Sequence, residues 1–357
     1  MTASEQHSKI VIVGAGIIGL DVALVLAEKG LGRYVTVVAE YLPGDTAATY
    51  TSPWAGCNFS ALSPSDERAL RWDRFGYSHL KKLATEKPID SFVSHTPSTE
   101  MWDNVVPHEK IKDMAKYLED FKILPPHALP DGVKFGVSFS TVTVNAPKHM
   151  EYLYRRLKDD FNVTFVQKKL SNIESAFVSP STVAVVNCTG VSAGTLSGVK
   201  DAKCYPTRGQ IVLVRAPWVH QNIMRHGDDY ETYVIPRPGS NGNVILGGYV
   251  QKGDSKTSTS GLQTESILRR TKELSAELNQ QEPEVLAAFA GLRPSREGGT
   301  RVEREDIFID GTKRALVHNY GASGAGFQAG YGMAIDAVET IRDIIEGLLA
   351  DSARPRL

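Results

Sequence analysis

Cysteine is scarce: Cys57, Cys188 and Cys204 are three in 357 residues, too few and too irregularly spaced for a disulfide framework or a zinc site. Their number fits a reducing compartment with one pair left open, and no metal is expected. Long apolar runs are also missing. The longest, from Ile10 to Leu20, holds three glycines and is too short to span a bilayer. The residues ahead of it are polar and lack a cationic segment, so a soluble chain, unprocessed at that end, is expected. Neither sign of charge dominates. Lys and Arg number 40 against 41 Asp and Glu, the net charge is −1, and the basic residues are scattered, which removes nucleic acid and a membrane surface as expected partners. No repeat or low-complexity block appears. With 41% hydrophobic and 23% charged residues the composition is ordinary for a globular protein, and the length suits one large or two medium domains.

What the chain does have is an opening motif. The apolar run from Lys9 closes on Gly14, Gly16 and Gly19, and helix-forming residues follow from Leu20 to Lys29. Gly14 permits the tight strand-to-helix turn, Gly16 lets backbone approach a pyrophosphate, and Gly19 lets the helix lie close to the strand. The helix N-terminus then faces the phosphates. A second apolar run, Tyr34 to Ala39, reads as the parallel partner strand, and Glu40 at its end is placed to accept from ribose hydroxyls. Strand, helix, strand and terminal acid together make a dinucleotide-binding βαβ unit.

Residues Pro43 to Gly56 are small, hydroxylated and punctuated by turns, which predicts ordered loop near the cofactor. Ser63-Pro64 with acids following predicts a long helix from Pro64 to about Thr85. Lys134–Val144 reads as strand, Ala146–Phe161 as amphipathic helix and Val163–Gln167 as strand, again in βαβ order. Val183 to Gly190 reads as a buried strand ending in a small-residue turn, where a doubly wound sheet binds ligands. From Tyr205 to Val250 the segments Gln210–Val214, Thr232–Pro236 and Asn243–Val250 predict a mostly antiparallel sheet, with a hairpin loop at Gly239–Gly242 that brings Tyr233 and Tyr249 onto neighbouring strands. Helices are predicted over Gly261–Gln280 and Pro283–Ala290, strands near Arg301–Ile309 and Ala315–Asn319, and a last helix over Gly326–Leu349 after a Gly-rich turn. The fold class is α/β: a doubly wound Rossmann-type domain from residues 1–62, 150–196 and 291–357, interleaved with an antiparallel-sheet substrate domain from residues 63–149 and 197–290.

Six ordered segments carry a resemblance. Val11 to Gly19, Thr51-Ser-Pro-Trp-Ala-Gly56, Asn187-Cys-Thr-Gly190, Tyr233-Val-Ile-Pro-Arg-Pro238, Gly291-Leu-Arg-Pro294 and His318 to Gln328 resemble the D-amino-acid oxidases, a flavoprotein family that includes the D-aspartate oxidases. The resemblance spans nearly the whole chain, and the second and fourth segments look fungal. It implies FAD, which the residues also favour over NAD, because a second Gly-rich turn at Gly321–Gly326 opens the terminal helix. The N-terminus of that helix can stabilise the negative charge of reduced flavin. The family pattern places FAD against Gly14, Gly16, Ile17, Ile18, Gly19 and Glu40. Further contacts fall on Thr49, Tyr50, Gly56, Cys57 and Asn58, on Thr189 and Gly190, and on Ser323, Gly324, Gly326, Phe327 and Gln328.

On the same resemblance Arg293 holds the substrate α-carboxylate with a planar fork that Lys cannot reproduce. Tyr233 hydrogen-bonds that carboxylate, and the Gly324 carbonyl accepts from the amine. Fungal relatives carry a second tyrosine that falls one position later than Tyr249. A one-residue shift turns a strand side chain to the opposite face, so either Tyr249 reaches the pocket or Val250 stands in its place. The implied activity is oxidation of a D-amino acid by O2, giving a 2-oxo acid, ammonia and hydrogen peroxide. Met224 suits apolar side chains, whereas Arg225 resembles the arginine that D-aspartate oxidases offer to a second carboxylate. Asp228 and Asp229 make Arg225 read as solvated loop charge, and neutral D-amino acids are the expected substrates. D-aspartate is the alternative, and a glycine or sarcosine oxidase a more distant one. The terminal Arg356-Leu357 resembles the end of a peroxisomal tripeptide with Pro355 out of pattern, so peroxisome and cytoplasm both stay open, as does a homodimer.

Overall fold

The computed structural model describes residues 9–227 and 230–353. The C-terminal tripeptide and the Asp228–Asp229 loop charge read from the sequence lie outside them. The chain runs β1 (Ile10–Val13), α1 (Ile17–Leu26), β2 (Val35–Ala39), α2 (Glu67–Glu86), α3 (Pro88–Ser91), β3 (Val93–Trp102), α4 (His108–Met114), β4 (Glu119–Ile123) and β5 (Phe135–Val144). It continues through α5 (Ala146–Asp159), β6 (Thr164–Gln167), β7 (Ala184–Asn187), β8 (Cys204–Arg215), β9 (Asn222–His226), β10 (Glu231–Pro236), β11 (Asn243–Gly247) and β12 (Gln251–Lys252). After α6 (Gly261–Leu274) come β13 (Glu284–Arg296), β14 (Arg301–Ile309), β15 (Thr312–Tyr320), α7 (Gly326–Glu339) and α8 (Arg342–Ala353).

Six strands form one sheet in the order β14-β15-β7-β1-β2-β6. Strand β1 pairs in parallel with β2 and β7, so that Ile12 lies opposite both Val37 and Val186. Both faces of β1 are covered, which is why its four residues are all apolar and buried. On one side Ile10 and Ile12 pack into a core shared with α1, α2, α5 and α7; on the other Val11 and Val13 meet Ile173, Ala176 and Leu196. The opening βαβ unit is therefore present as read, and the class is α/β with parallel and antiparallel sheets.

The second sheet has nine strands in the order β12-β8-β11-β10-β9-β3-β5-β4, with β13 on the other edge of β8. It is antiparallel except where β3 runs parallel to β9. The hairpin predicted at Gly239–Gly242 joins β10 and β11.

Five expectations need correction. Residues 283–290 are strand: alanines favour a helix locally, but β13 pairs with β8 from Glu284↔Arg215 to Arg296↔Cys204, and that ladder outweighs propensity. The segment β5–α5–β6 is not a βαβ unit, because β5 pairs with β3 and β4 in the second sheet while β6 pairs with β2 in the first. Helix α2 starts at Glu67, with the Asp66 carboxylate accepting from the Ala69 N–H, and Ser63 instead donates to Asp73. Helix 261–280 ends at Leu274, followed by a short turn at Leu278–Gln280. The last helix breaks at Thr340, whose hydroxyl donates to the Ala337 carbonyl. The expected domain boundary at residue 291 falls inside β13, and α2, assigned to the substrate domain, packs on α7. Sequence reading also passed over β3, α4 and β4.

Candidate active site

Between the two sheets lies a cavity of about 430 Å3. One wall is built from the glycine turns. Gly14 has φ +109°, and a Cβ there would press on the Cys188 carbonyl, so the turn after β1 admits only glycine. Gly16 caps α1, and a Cβ on Gly19 would collide with the Gly14 carbonyl. Tyr50 fixes this turn by donating from its buried phenol to the Ala15 carbonyl at 2.6 Å. Ser52 Oγ accepts from the Ile17 N–H at 3.1 Å, taking one of the free donors at the α1 N-terminus. Ile17 and Ile18 then line the cavity, as do Gly56, Cys57 and Asn58 from the loop. Thr51 and Trp54 tie that loop to the second sheet, through a bond to the Leu292 carbonyl at 2.7 Å and a stack on Phe289 at 4.5 Å.

The same carboxyl end of the parallel sheet supplies the other half, from the turns that follow β7 and β15. Gly190, Ser323, Gly324, Gly326 and Phe327 line the cavity, with the first turn of α7 facing it. Gln328 also lines it, yet its side-chain amide bonds Ser63 at 2.6 Å and Asp73 at 3.1 Å. Seven expected cofactor residues stand back from the cavity surface: Gly14, Gly16 and Gly19 shape the turn behind Ile17 and Ile18, and Glu40, Thr49, Tyr50 and Thr189 bond elsewhere. Glu40 follows β2 and pairs with Lys169 at 2.9 Å, and Thr49 bonds Tyr41 at 3.1 Å. Thr189 donates to Asn187 at 2.7 Å, and Tyr50 supports from behind. Cys57 and Cys188 line the cavity as free thiols, both raised far above the ordinary thiol range by burial and therefore protonated. Asn319 also lines the cavity with both amide atoms buried and unpartnered among the described residues. An orphaned buried amide calls for a polar ligand. That orphan and two helix N-termini facing one apolar cleft fit a flavin dinucleotide.

The floor comes from the second sheet by cross-strand register. Tyr233 on β10 lies opposite Met224 on β9 and Gly247 on β11, and Gly247 lies opposite Ile211 on β8, which faces Phe289 on β13. A Cβ on Gly247 would strike the Tyr233 ring, so glycine there gives the phenol its place. One row along, Gly291 faces Gly209, and a Cβ on Gly209 would strike the Arg293 guanidinium. Arg293 reaches across that gap, donates from Nη1 to the Tyr249 carbonyl at 3.0 Å, and stands beside Gly324. Burial raises the Tyr233 phenol above its ordinary value, with the adjacent Arg293 opposing, so it remains a donor at neutral pH.

Tyr249 contributes only that carbonyl. Strand β11 stops at Gly247, and the Tyr249 ring turns to the α6 side of the sheet, 5.2 Å from the Arg270 guanidinium, while Val250 lines the cavity. Met224 is in the wall, but Arg225 is not: it pairs with Asp103 at 2.8 Å and donates to the Asp131 carbonyl at 3.1 Å. Asp103 also accepts from the Tyr230 hydroxyl. Period-two alternation along β9 separates the two side chains.

Sequence reading missed Gly209, Asn319 and Glu231. Glu231 is two residues before Tyr233 on β10, so alternation alone put it on the cavity face, where it lies in the wall. Its carboxylate faces His226 Nδ1 at 3.8 Å, and His226 Nε2 faces the buried Glu100 at 3.4 Å. Burial lowers the affinity of His226 for a proton, but the two carboxylates prevail and push its pKa up to about 9. Glu231 is held below its ordinary value by His226 and Arg293 against the opposing effect of burial.

The family model for DAO, described as FAD dependent oxidoreductase, matches residues 9–340. The D-amino-acid oxidase of Schizosaccharomyces pombe is 42% identical over 343 residues, covering 95% of this chain and 97% of that protein. A D-aspartate oxidase of Cryptococcus neoformans var. grubii is 32% identical over 390 residues, with 94% and 96% covered. Among solved structures, glycine oxidase from Geobacillus kaustophilus superposes with a TM-score of 0.71 at 19% identity, covering 95% of this chain and 94% of that one, a likeness of fold.

Proposed function

The chain belongs to the DAO family of FAD-dependent oxidoreductases, and on that premise we propose that it oxidises neutral D-amino acids with O2, giving a 2-oxo acid, ammonia and hydrogen peroxide. The observation that carries the proposal is the Arg293 guanidinium, held over Gly209 beside the Tyr233 phenol in a cleft bounded by both glycine turns. A fork of N–H donors next to a phenol is matched to a carboxylate.

The α1 turn at Gly14, Gly16 and Gly19 would hold the FAD pyrophosphate, Glu40 the ribose, and the α7 turn with Asn319 the ring system. When bound, FAD supplies a two-electron acceptor for the substrate Cα hydride and passes the electrons to O2. The protein's own residues bind and orient. Arg293 clamps the α-carboxylate, Tyr233 donates to the same group, and the Gly324 carbonyl accepts from the amine, which presents one Cα face to the ring. The apolar lining from Ile17, Ile211 and Ile235 keeps bulk water from the reacting atoms. Water then hydrolyses the released imino acid.

Neutral rather than acidic substrates are supported by Met224 in the wall and by Arg225 committed to Asp103 outside it. Val250, standing where a second tyrosine was sought, leaves the α-carboxylate one hydroxyl fewer. Purified protein should carry flavin absorption bands that bleach anaerobically with D-alanine. Steady-state rates with D-alanine and D-aspartate test the preference, and a D-aspartate preference abolished by Arg225→Ala would overturn it.

A further inference from the structure

We propose that Glu231 anchors a side-chain subsite for cationic D-amino acids, those carrying an ammonium or guanidinium, so that the enzyme accepts them alongside neutral substrates and disfavours acidic ones. The inference rests on the D-amino-acid oxidase reading above. Among the described residues lining the cavity, Glu231 is the one acidic side chain. It sits on the same face of β10 as Tyr233 and Ile235, and its side chain is 23% exposed, so the carboxylate is reachable from the cleft rather than sealed in the core.

The surrounding charges leave it short of a partner. Glu100 is fully buried and accepts from the Ala61 N–H at 3.1 Å. One His226 imidazolium stands between Glu100 and Glu231, so the trio carries one uncompensated negative charge. Arg270, the other nearby cation, is committed to the Thr232 hydroxyl at 2.6 Å and the Gly248 carbonyl at 3.0 Å. Arg293 offsets the remaining charge while the cleft is free, but a bound α-carboxylate claims that guanidinium. A substrate side chain ending in a cation then restores the balance, and one ending in a carboxylate worsens it.

D-lysine and D-norleucine carry the same carbon chain and differ in the terminal ammonium. In Glu231→Gln, kcat/KM for D-lysine should fall about tenfold relative to D-norleucine, activity on D-glutamate should rise, and Glu231→Asp should recover part of the D-lysine preference. A second readout needs no turnover: 6-aminohexanoate and hexanoate lack the α-amine, and their dissociation constants are read from the flavin spectrum. The wild-type enzyme should bind 6-aminohexanoate the more tightly, and Glu231→Gln should lose that difference. Equal losses for D-lysine and D-norleucine would assign Glu231 to the α-amine or to folding and overturn the subsite. Equal binding of the two inhibitors by wild type would overturn it without any variant. Absence of D-norleucine turnover in the wild type would instead count against the oxidase reading itself.

Discussion

Arg293 does not lie in its cleft by virtue of charge alone; it lies there because Gly209, on the neighbouring strand, has no side chain to exclude it. The two residues make separable predictions. Arg293→Lys keeps the charge and loses the fork, so kcat/KM for D-alanine should drop about 100-fold while flavin absorbance is retained. Gly209→Ala pushes the guanidinium aside, and KM for D-alanine should rise about tenfold with the same flavin content. Sequence alone was enough to single out Arg293, Tyr233 and Met224, since each belongs to a motif or its lid. Gly209 was not legible, because its role depends on which residue faces it across β8 and β13. Tyr249 was ambiguous for the same physical reason: one residue decides the face, and the end of β11 at Gly247 decides the residue.

The elements that hold the site meet through buried charge. Lys110 on α4 and Asp73 on α2 form an ion pair with both side chains fully buried, and Asp73 also receives the Gln328 amide from α7. Removing one partner leaves the other charged and desolvated, so Lys110→Met should cost about 3–5 kcal/mol in urea unfolding, more than the double change Lys110→Met with Asp73→Leu. Strands β9 and β10 share His226. Its pKa is raised from 6.5 to about 9, so its stabilising contribution is whole below pH 6.5 and is lost as pH rises through about 9. The Tm advantage of wild type over His226→Phe should therefore shrink across that interval; a constant gap would refute the charged state. At this scale the sequence was legible where periodicity and pairing agree, as in β1, α1 and β2. It misled at residues 283–290, where alanine-rich composition favours a helix and a long partner strand wins. The segment from β5 to β6 misled because strand, helix and strand in sequence do not say whether both strands join one sheet.

Two sheets share one cleft, and the apolar interior of the first depends on segments far apart in the chain: β15 lies between β14 and β7, and α7 packs on α1 and α2. A ligand that binds only this assembled state stabilises it by mass action, about 2.7 kcal/mol at a hundredfold excess over Kd. Stripping FAD should lower Tm by about 5 °C, at about 2 °C per kcal/mol for a chain of this size. Titrating the dinucleotide back should restore Tm with a logarithmic dependence on its concentration. The early glycines and the late ones also differ in when they exist. A ribosome working at about 5–20 residues per second delivers Gly14 tens of seconds before Gly326. Throughout that interval the nascent β1–α1 unit has neither its neighbour helix α7 nor the second half of its cradle, so the complete cleft exists only once the C-terminal segment has joined it.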